Sequence, residues 1–190
     1  MRTTMMVALL AVVAVALVGC GGGPQTMQST ATGDMPAWYP NPPQDPLYLR
    51  SANSQASQDL QVAIDKATAG ARVELGRMLE TKVNGLQKKF EEETGVGQDA
   101  QLLMQFTQAS KIVVSTTMNG SKMKDQKTLK DGAMWRAYVM MELPIGAANE
   151  SLMAEIKKNK DLYTRFQASQ AYKDLDTEVQ KYEDSKKETK

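Results

Sequence analysis

Histidine is absent from this 190-residue chain, and cysteine occurs once, as Cys20. Without histidine the usual general base and the commonest transition-metal ligand are missing. With one thiol there is no internal disulfide to staple a fold and no Cys/His set to hold zinc. Aromatic residues are sparse at 6%, so a core has to be filled mainly by aliphatic side chains. No charge sign dominates: 23 basic residues face 22 acidic ones, which leaves no field to attract nucleic acid, and none is expected as a partner. Nothing in the composition calls for a cofactor, and the enzyme classes that rest on histidine, cysteine or a soft metal fall away. An enzyme built only on carboxylate, lysine or serine stays open as a weaker reading.

What is present begins with the N-terminus. Met1 and Arg2 precede an unbroken apolar run from Val7 to Val18, followed by Gly19, Cys20 and then Gly21, Gly22, Gly23 and Pro24. The order charged, apolar, small is that of a secretory signal, and the run is shorter than the roughly 20 apolar residues a membrane-spanning helix needs. The ending Leu17-Val18-Gly19-Cys20 resembles the lipobox cut by bacterial lipoprotein signal peptidase. That likeness implies a signal peptide over residues 1–19 and a mature chain starting at a lipid-modified Cys20, whose thiol forms the thioether. Because a single acyl chain binds only reversibly, two or more are expected, each buried methylene adding about 0.8 kcal/mol. An Asp after the lipidated cysteine resembles an inner-membrane retention signal; here Gly21 follows, which favours the outer membrane.

Residues 20–35 are mostly Gly, Gln, Ser, Thr, Ala and Pro with little to bury, the composition of a flexible tether with a reach of roughly 20 Å. A single domain is expected over residues 36–182, and charges of both signs over 183–190 read as a solvated tail. The domain opens on Pro36-Ala37-Trp38-Tyr39-Pro40-Asn41-Pro42-Pro43, where proline excludes helix. Trp38 and Tyr39 have two readings: an exposed segment for docking an envelope protein partner, or a clamp that pins the chain entry to its own core. The area of the two rings favours the clamp.

Leu47 to Ala52 reads as a short first strand. From Ser57, a candidate N-cap, Leu60, Ile64, Ala67, Ala71, Leu75, Leu79, Val83, Leu86 and Phe90 recur at threes and fours up to Gly95, predicting a helix of about 50 Å. That length requires part of it to project or to lie along another long helix. A second helix is expected from about Gln98, with Ile112 to Thr117 rich enough in β-branched residues to be extended instead. Ala133 to Leu143 alternates with all odd positions apolar, a strand with one buried face. Asp131-Gly132 marks a hairpin to a strand near Gly120 to Leu129; placing Leu129 and Met123 on the apolar face calls for a three-residue loop with Gly132 left-handed. Beyond Pro144 a third long helix is expected from about Asn149 through Tyr182. The fold class expected is α+β, a small three-stranded antiparallel sheet in the order β-α-α-β-β-α against long helices.

Three clusters carry weaker chemistry. Glu91, Glu92 and Glu93 fan out around a helix and read as a solvated face. Asp174, Asp176 and Glu178 mimic the start of a calcium loop but lack its turn glycine, since Val179 stands there. Ser121 and Lys124 have the spacing of a serine-lysine pair, yet on a strand they point apart. No metal site is expected.

Several segments together resemble the bacterial lipoprotein family of the LPP-twenty type: Trp38 to Pro43, Asp59-Leu60-Gln61, Ala63 to Ala67, Gln105-Phe106-Thr107-Gln108-Ala109-Ser110, Arg136-Ala137-Tyr138-Val139, and Leu143-Pro144. The likeness spans Pro36 to about Tyr182. It implies the lipid anchor at Cys20 and placement in the outer membrane, and no binding residues. A related domain occurs in flagellar assembly proteins, which makes a flagellar or envelope assembly accessory one implied role. The reading favoured by the residues is a non-enzymatic, outer-membrane-anchored protein with a structural or interaction role. The 13 methionines, adaptable in shape, raise the alternative of a carrier for a lipid or small apolar ligand.

Overall fold

In the computed structural model, residues 35–95 and 99–188 are described. Cys20, the signal segment and the tether sequence lie outside them. The elements are β1 (Tyr48–Ser57), α1 (Leu60–Thr94), α2 (Ala100–Thr117), a single 3-10 turn (Met118–Gly120), β2 (Lys122–Asp131), β3 (Met134–Pro144), α3 (Ile145–Lys157), α4 (Lys160–Gln167) and α5 (Gln170–Glu188). The α+β class and the strand-helix-helix-strand-strand-helix order are as the sequence predicts.

β3 is the central strand, with β1 and β2 antiparallel on either side. Its position follows from its composition: Ala137, Val139, Met141 and Leu143 are buried on one face, and Tyr138 and Met140 are buried on the other. A strand flanked on both sides is shielded at its edges, which helps it bury apolar side chains wherever both faces of the sheet are covered.

α1 starts at Asp59, whose carboxylate accepts from Val62 N at 2.9 Å, and not at Ser57, which is the last residue of β1. It stops at Gly95, whose φ of 64° and N–H to the Glu91 carbonyl form a left-handed cap. The buried stripe changes size along the helix. Ala63, Ala67 and Ala71 come first, then Leu75, Leu79, Val83 and Phe90. The alanines let the helix lie close on β1 and β3: the Ser51 hydroxyl donates to the Ala71 carbonyl at 2.7 Å, and a β-carbon on Gly70 would come within 2.6 Å of the Asn53 side chain. The larger residues fill the space against α2 and α5. One helix therefore spans both the sheet layer and the helical layer, which is how its length is accommodated.

α2 stays helical through Ile112 to Thr117. Leu102, Phe106, Ala109, Ser110 and Val113 form its buried face, so tertiary packing at helical spacing overrides the β-branched composition. Between β2 and β3 the turn is a tight two-residue loop, Gly132-Ala133, with Asp131 opposite Met134. Gly132 has φ 60° and Ala133 does not share the positive φ, the pattern of a type II′ turn. The expected three-residue loop is replaced by a bulge at Lys124, where the register slips between Met123 and Asp125. The slip sets Met123 opposite Met141 but leaves its side chain exposed, and Leu129 faces Arg136, so neither residue is buried on the apolar face as expected.

The predicted third helix is three. Asn159 caps α4 by accepting from Leu162 N at 3.0 Å. The buried Ser169 hydroxyl donates to the Phe166 carbonyl and accepts from Tyr172 N. These two local caps break the helix where an apolar pattern alone reads as continuous. α5 then runs to Glu188, past the start of the expected tail. No helix among the described residues is long and apolar enough to cross a membrane.

Candidate functional site

The segment carrying Trp38 and Tyr39 forms a turn, with Tyr39 N–H donating to the Pro36 carbonyl at 3.0 Å. Pro36 is buried, and Trp38 and Tyr39 are both half-buried. The Tyr39 ring meets Tyr138 edge to face at 4.9 Å, so the segment covers part of the sheet face opposite α1. That contact accounts for Tyr138 being buried although it points away from the helices.

Arg50 fastens the same segment a second time. Its guanidinium donates to the Pro43 carbonyl at 3.2 Å, to Asp45 at 2.9 Å and to Glu142 at 3.3 Å, and Lys124 approaches Glu142 at 3.7 Å. The planar fork of arginine can serve three acceptors in different directions, which a lysine could not do with the same rigidity. Leu47 adds a main-chain bond from Ile145 N at 2.9 Å. The geometry is that of a clamp at the chain entry, the second of the two readings for Trp38 and Tyr39.

The acidic clusters hold the helical layer together. Glu93 of α1 accepts from both Gln170 N and Ala171 N, placing a carboxylate at the positive end of α5. Nothing in the sequence flags Glu93, because the cap reaches across 77 residues. Further along the same seam, Lys89 pairs with Asp174. Lys82 reaches Glu178 at 2.8 Å, and the buried Asn149 donates to the same carboxylate at 2.6 Å. The hydrogen bond from Lys89 holds the Asp174 carboxyl below the usual aspartate range, and the same bond raises the Lys89 ammonium. Asp174 and Glu178 are thus occupied by lysines, and no group of three or more metal-binding side chains occurs among the described residues. Ser121 and Lys124 are not a pair: the Ser121 hydroxyl donates to the Met118 carbonyl, while Lys124 approaches Glu142.

Three clefts between helices stand out among the described residues. The roomiest of these three, about 410 Å³, lies between the start of α2 and α4 and is lined mainly by polar groups, among them Asp99, Gln105, Lys160 and Arg165. A second, of about 270 Å³, separates α1 from α2 over Val83 and Val114. A third, of about 220 Å³, lies beside Gly85 and the Lys89–Asp174 pair. Pockets for drug-sized ligands run about 300–1,000 Å³ and are mostly apolar; the two smaller clefts fall below that range and the largest is polar. The exposed methionines Met104, Met123 and Met134 sit on α2, β2 and β3, three separate elements.

No family model matches the chain, and no curated protein matches it.

Proposed function

We propose that this chain is a bacterial envelope lipoprotein of the LPP-twenty type, held in the outer membrane by lipid on Cys20, with its α+β body acting as a non-enzymatic structural or interaction module. The observation that carries the reading is the order Leu17-Val18-Gly19-Cys20 at the end of an uninterrupted apolar run, followed at once by three glycines. The apolar run inserts into the membrane, the small residue admits the peptidase, and the thiol accepts the lipid.

The way the domain receives its incoming chain supports the same role. Tyr39 against Tyr138 and Arg50 against Pro43, Asp45 and Glu142 fix the chain to the sheet within a few residues of Pro36. A body carried on a lipid anchor needs such a fixture, since whatever pulls on it pulls through that point. Stable retention follows from multiple acyl chains.

Intact mass of the mature product tests the proposal. A chain beginning at residue 20 with the added mass of a diacylglyceryl group and an amide-linked acyl chain, found in the outer-membrane fraction, is the expected result. Cys20→Ser is expected to abolish processing and lipid incorporation. An unmodified thiol, or a Cys20→Ser protein still processed and retained, overturns the proposal.

A further inference from the structure

Two Asn-Gly pairs lie among the described residues, Asn84-Gly85 in the interior of α1 and Asn119-Gly120 in the 3-10 turn that joins α2 to β2. All four residues are exposed. In such a pair the main chain readily attacks the side chain, because glycine has no β-carbon to shield its amide nitrogen or to restrict its dihedrals. The glycine nitrogen forms a bond to the asparagine Cγ, the Cγ–Nδ2 bond breaks, and ammonia leaves with the displaced amide proton. The five-membered imide that remains takes up one water at either of its two carbonyls and opens to aspartate or isoaspartate. No oxidant, metal or second protein is required.

The ring closes only when the asparagine ψ turns the following nitrogen alongside its own β-carbon, and a helical ψ of about −42° does not do so. Each pair therefore reacts from a locally opened chain, and the cost of that opening sets the rate. For Asn84 the cost is high. In an α-helix the Gly85 N–H donates to the carbonyl four residues back, that of Thr81, and buried Val83 and Phe90 hold α1 in the core on either side of the pair. Turning ψ at Asn84 would break a helix of 35 residues in its interior.

For Asn119 the cost is low. The turn is three residues long, Met118–Gly120, in a form whose hydrogen-bond geometry is poorer than that of an α-helix. Ser121 closes it by donating its N–H and its hydroxyl to the Met118 carbonyl at 3.1 and 2.8 Å, so opening the pair gives up this single turn. A cleft of about 210 Å³ beside Gly120 admits the water that opens the imide. We propose that Asn119 is a self-modification site, converted through an imide with Gly120 to isoaspartate and aspartate, and that α1 protects the same pair at Asn84. The product places a carboxylate at the C-terminal end of α2, and isoaspartate adds one carbon to the main chain where α2 hands over to β2.

The test holds the full chain folded at mildly alkaline pH and follows both pairs over weeks by peptide mapping, with electron-transfer fragmentation to distinguish aspartate from isoaspartate. Asn119 is expected to convert at ten times the rate of Asn84 or more, with isoaspartate in excess. In guanidinium chloride the two rates are expected to come within twofold of each other. Gly120→Ala is expected to slow Asn119 tenfold or more while the thermal melt stays that of the parent, since Gly120 is not at positive φ and an added β-carbon meets nothing within 4 Å. Equal rates in the folded chain, or faster conversion of Asn84, overturn the proposal. A gap that persists in guanidinium places the difference in the local sequence and overturns it too. Aspartate formed without isoaspartate, or a rate unmoved by Gly120→Ala, means direct hydrolysis of the amide and has the same effect.

Discussion

Gly146 near the start of α3 lies so close to Tyr182 of α5 that a β-carbon on the glycine would overlap the Cβ, Cγ and Cδ1 atoms of the tyrosine. The ring is held in turn by Lys186, whose ammonium sits 4.1 Å from its centre. Gly146→Ala is therefore expected to destabilise the domain by about 1–3 kcal/mol through overpacking. Urea unfolding reads this as a lowered midpoint at constant slope. Adding Tyr182→Ala should recover part of the loss, since it removes the clash.

Gly85 gives the opposite sign. It sits inside α1, is exposed, and a β-carbon there would meet nothing within 4 Å. Gly85→Ala removes the entropic penalty of a mid-helix glycine without a steric one. A gain of about 0.5–1 kcal/mol is expected, measured by the same unfolding curve. A loss would show that the cleft beside it requires the bare backbone.

All three phenylalanines of the chain meet at one point. Phe90 of α1, Phe106 of α2 and Phe166 of α4 are fully buried with ring centres 5.4 to 5.9 Å apart. Because Phe166 ties the short α4 to both longer helices, Phe166→Ala should cost about 3–5 kcal/mol. Phe166→Leu should cost less, since most of the volume remains. Hydrogen exchange is expected to rise first in α4, which has the fewest other attachments.

The Lys89–Asp174 pair sets a pH response. The Asp174 carboxyl titrates below its ordinary value when folded, so its contribution is present at neutral pH and lost as pH falls through that depressed value. The raised Lys89 loses its contribution only as pH rises through a value above 10.5. Lys89→Gln should move the Asp174 titration, followed by carboxyl carbon NMR, up toward the usual aspartate range. Both groups are half-exposed, and added salt should shrink the difference between variant and parent.

Elements whose signal is local were legible in the sequence. The stripe from Ala67 to Phe90, the Gly95 stop, and the odd positions of β3 from Ala137 to Leu143 each depend on residues within one turn or one strand and stand as read, whereas at the start of α1 Ala63 is buried in place of the expected Leu60 and Ile64, and Ala133 falls in the turn. The misreadings share a cause. Ile112 to Thr117 have the composition of a strand, but Val113 is held in the core by the buried face of α2, which lies outside any local window. Asn159 and Ser169 are short polar residues inside an apolar rhythm, and their capping bonds outweigh it. Glu93 looked like one carboxylate of a solvated run because its partners are on α5. The clamp at Tyr39 was half legible: the aromatic and proline content announced an anchor, while its partner Tyr138 sat on the strand face marked as solvent-facing by Arg136 and Glu142. Cys20 remains a statement of sequence alone.

A steady pull applied at Pro36 would meet the chain in a definite sequence of resistances. The first is the ring of Tyr39 on the middle strand, the next the three-way grip of Arg50, and only then the antiparallel ladder joining β1 to β3. Tension is shared by the interior of the sheet before the outermost strand can begin to peel. Severing the grip with Arg50→Met would leave that strand to take the strain directly, and the body would give way at a lower force without any change in its resting shape.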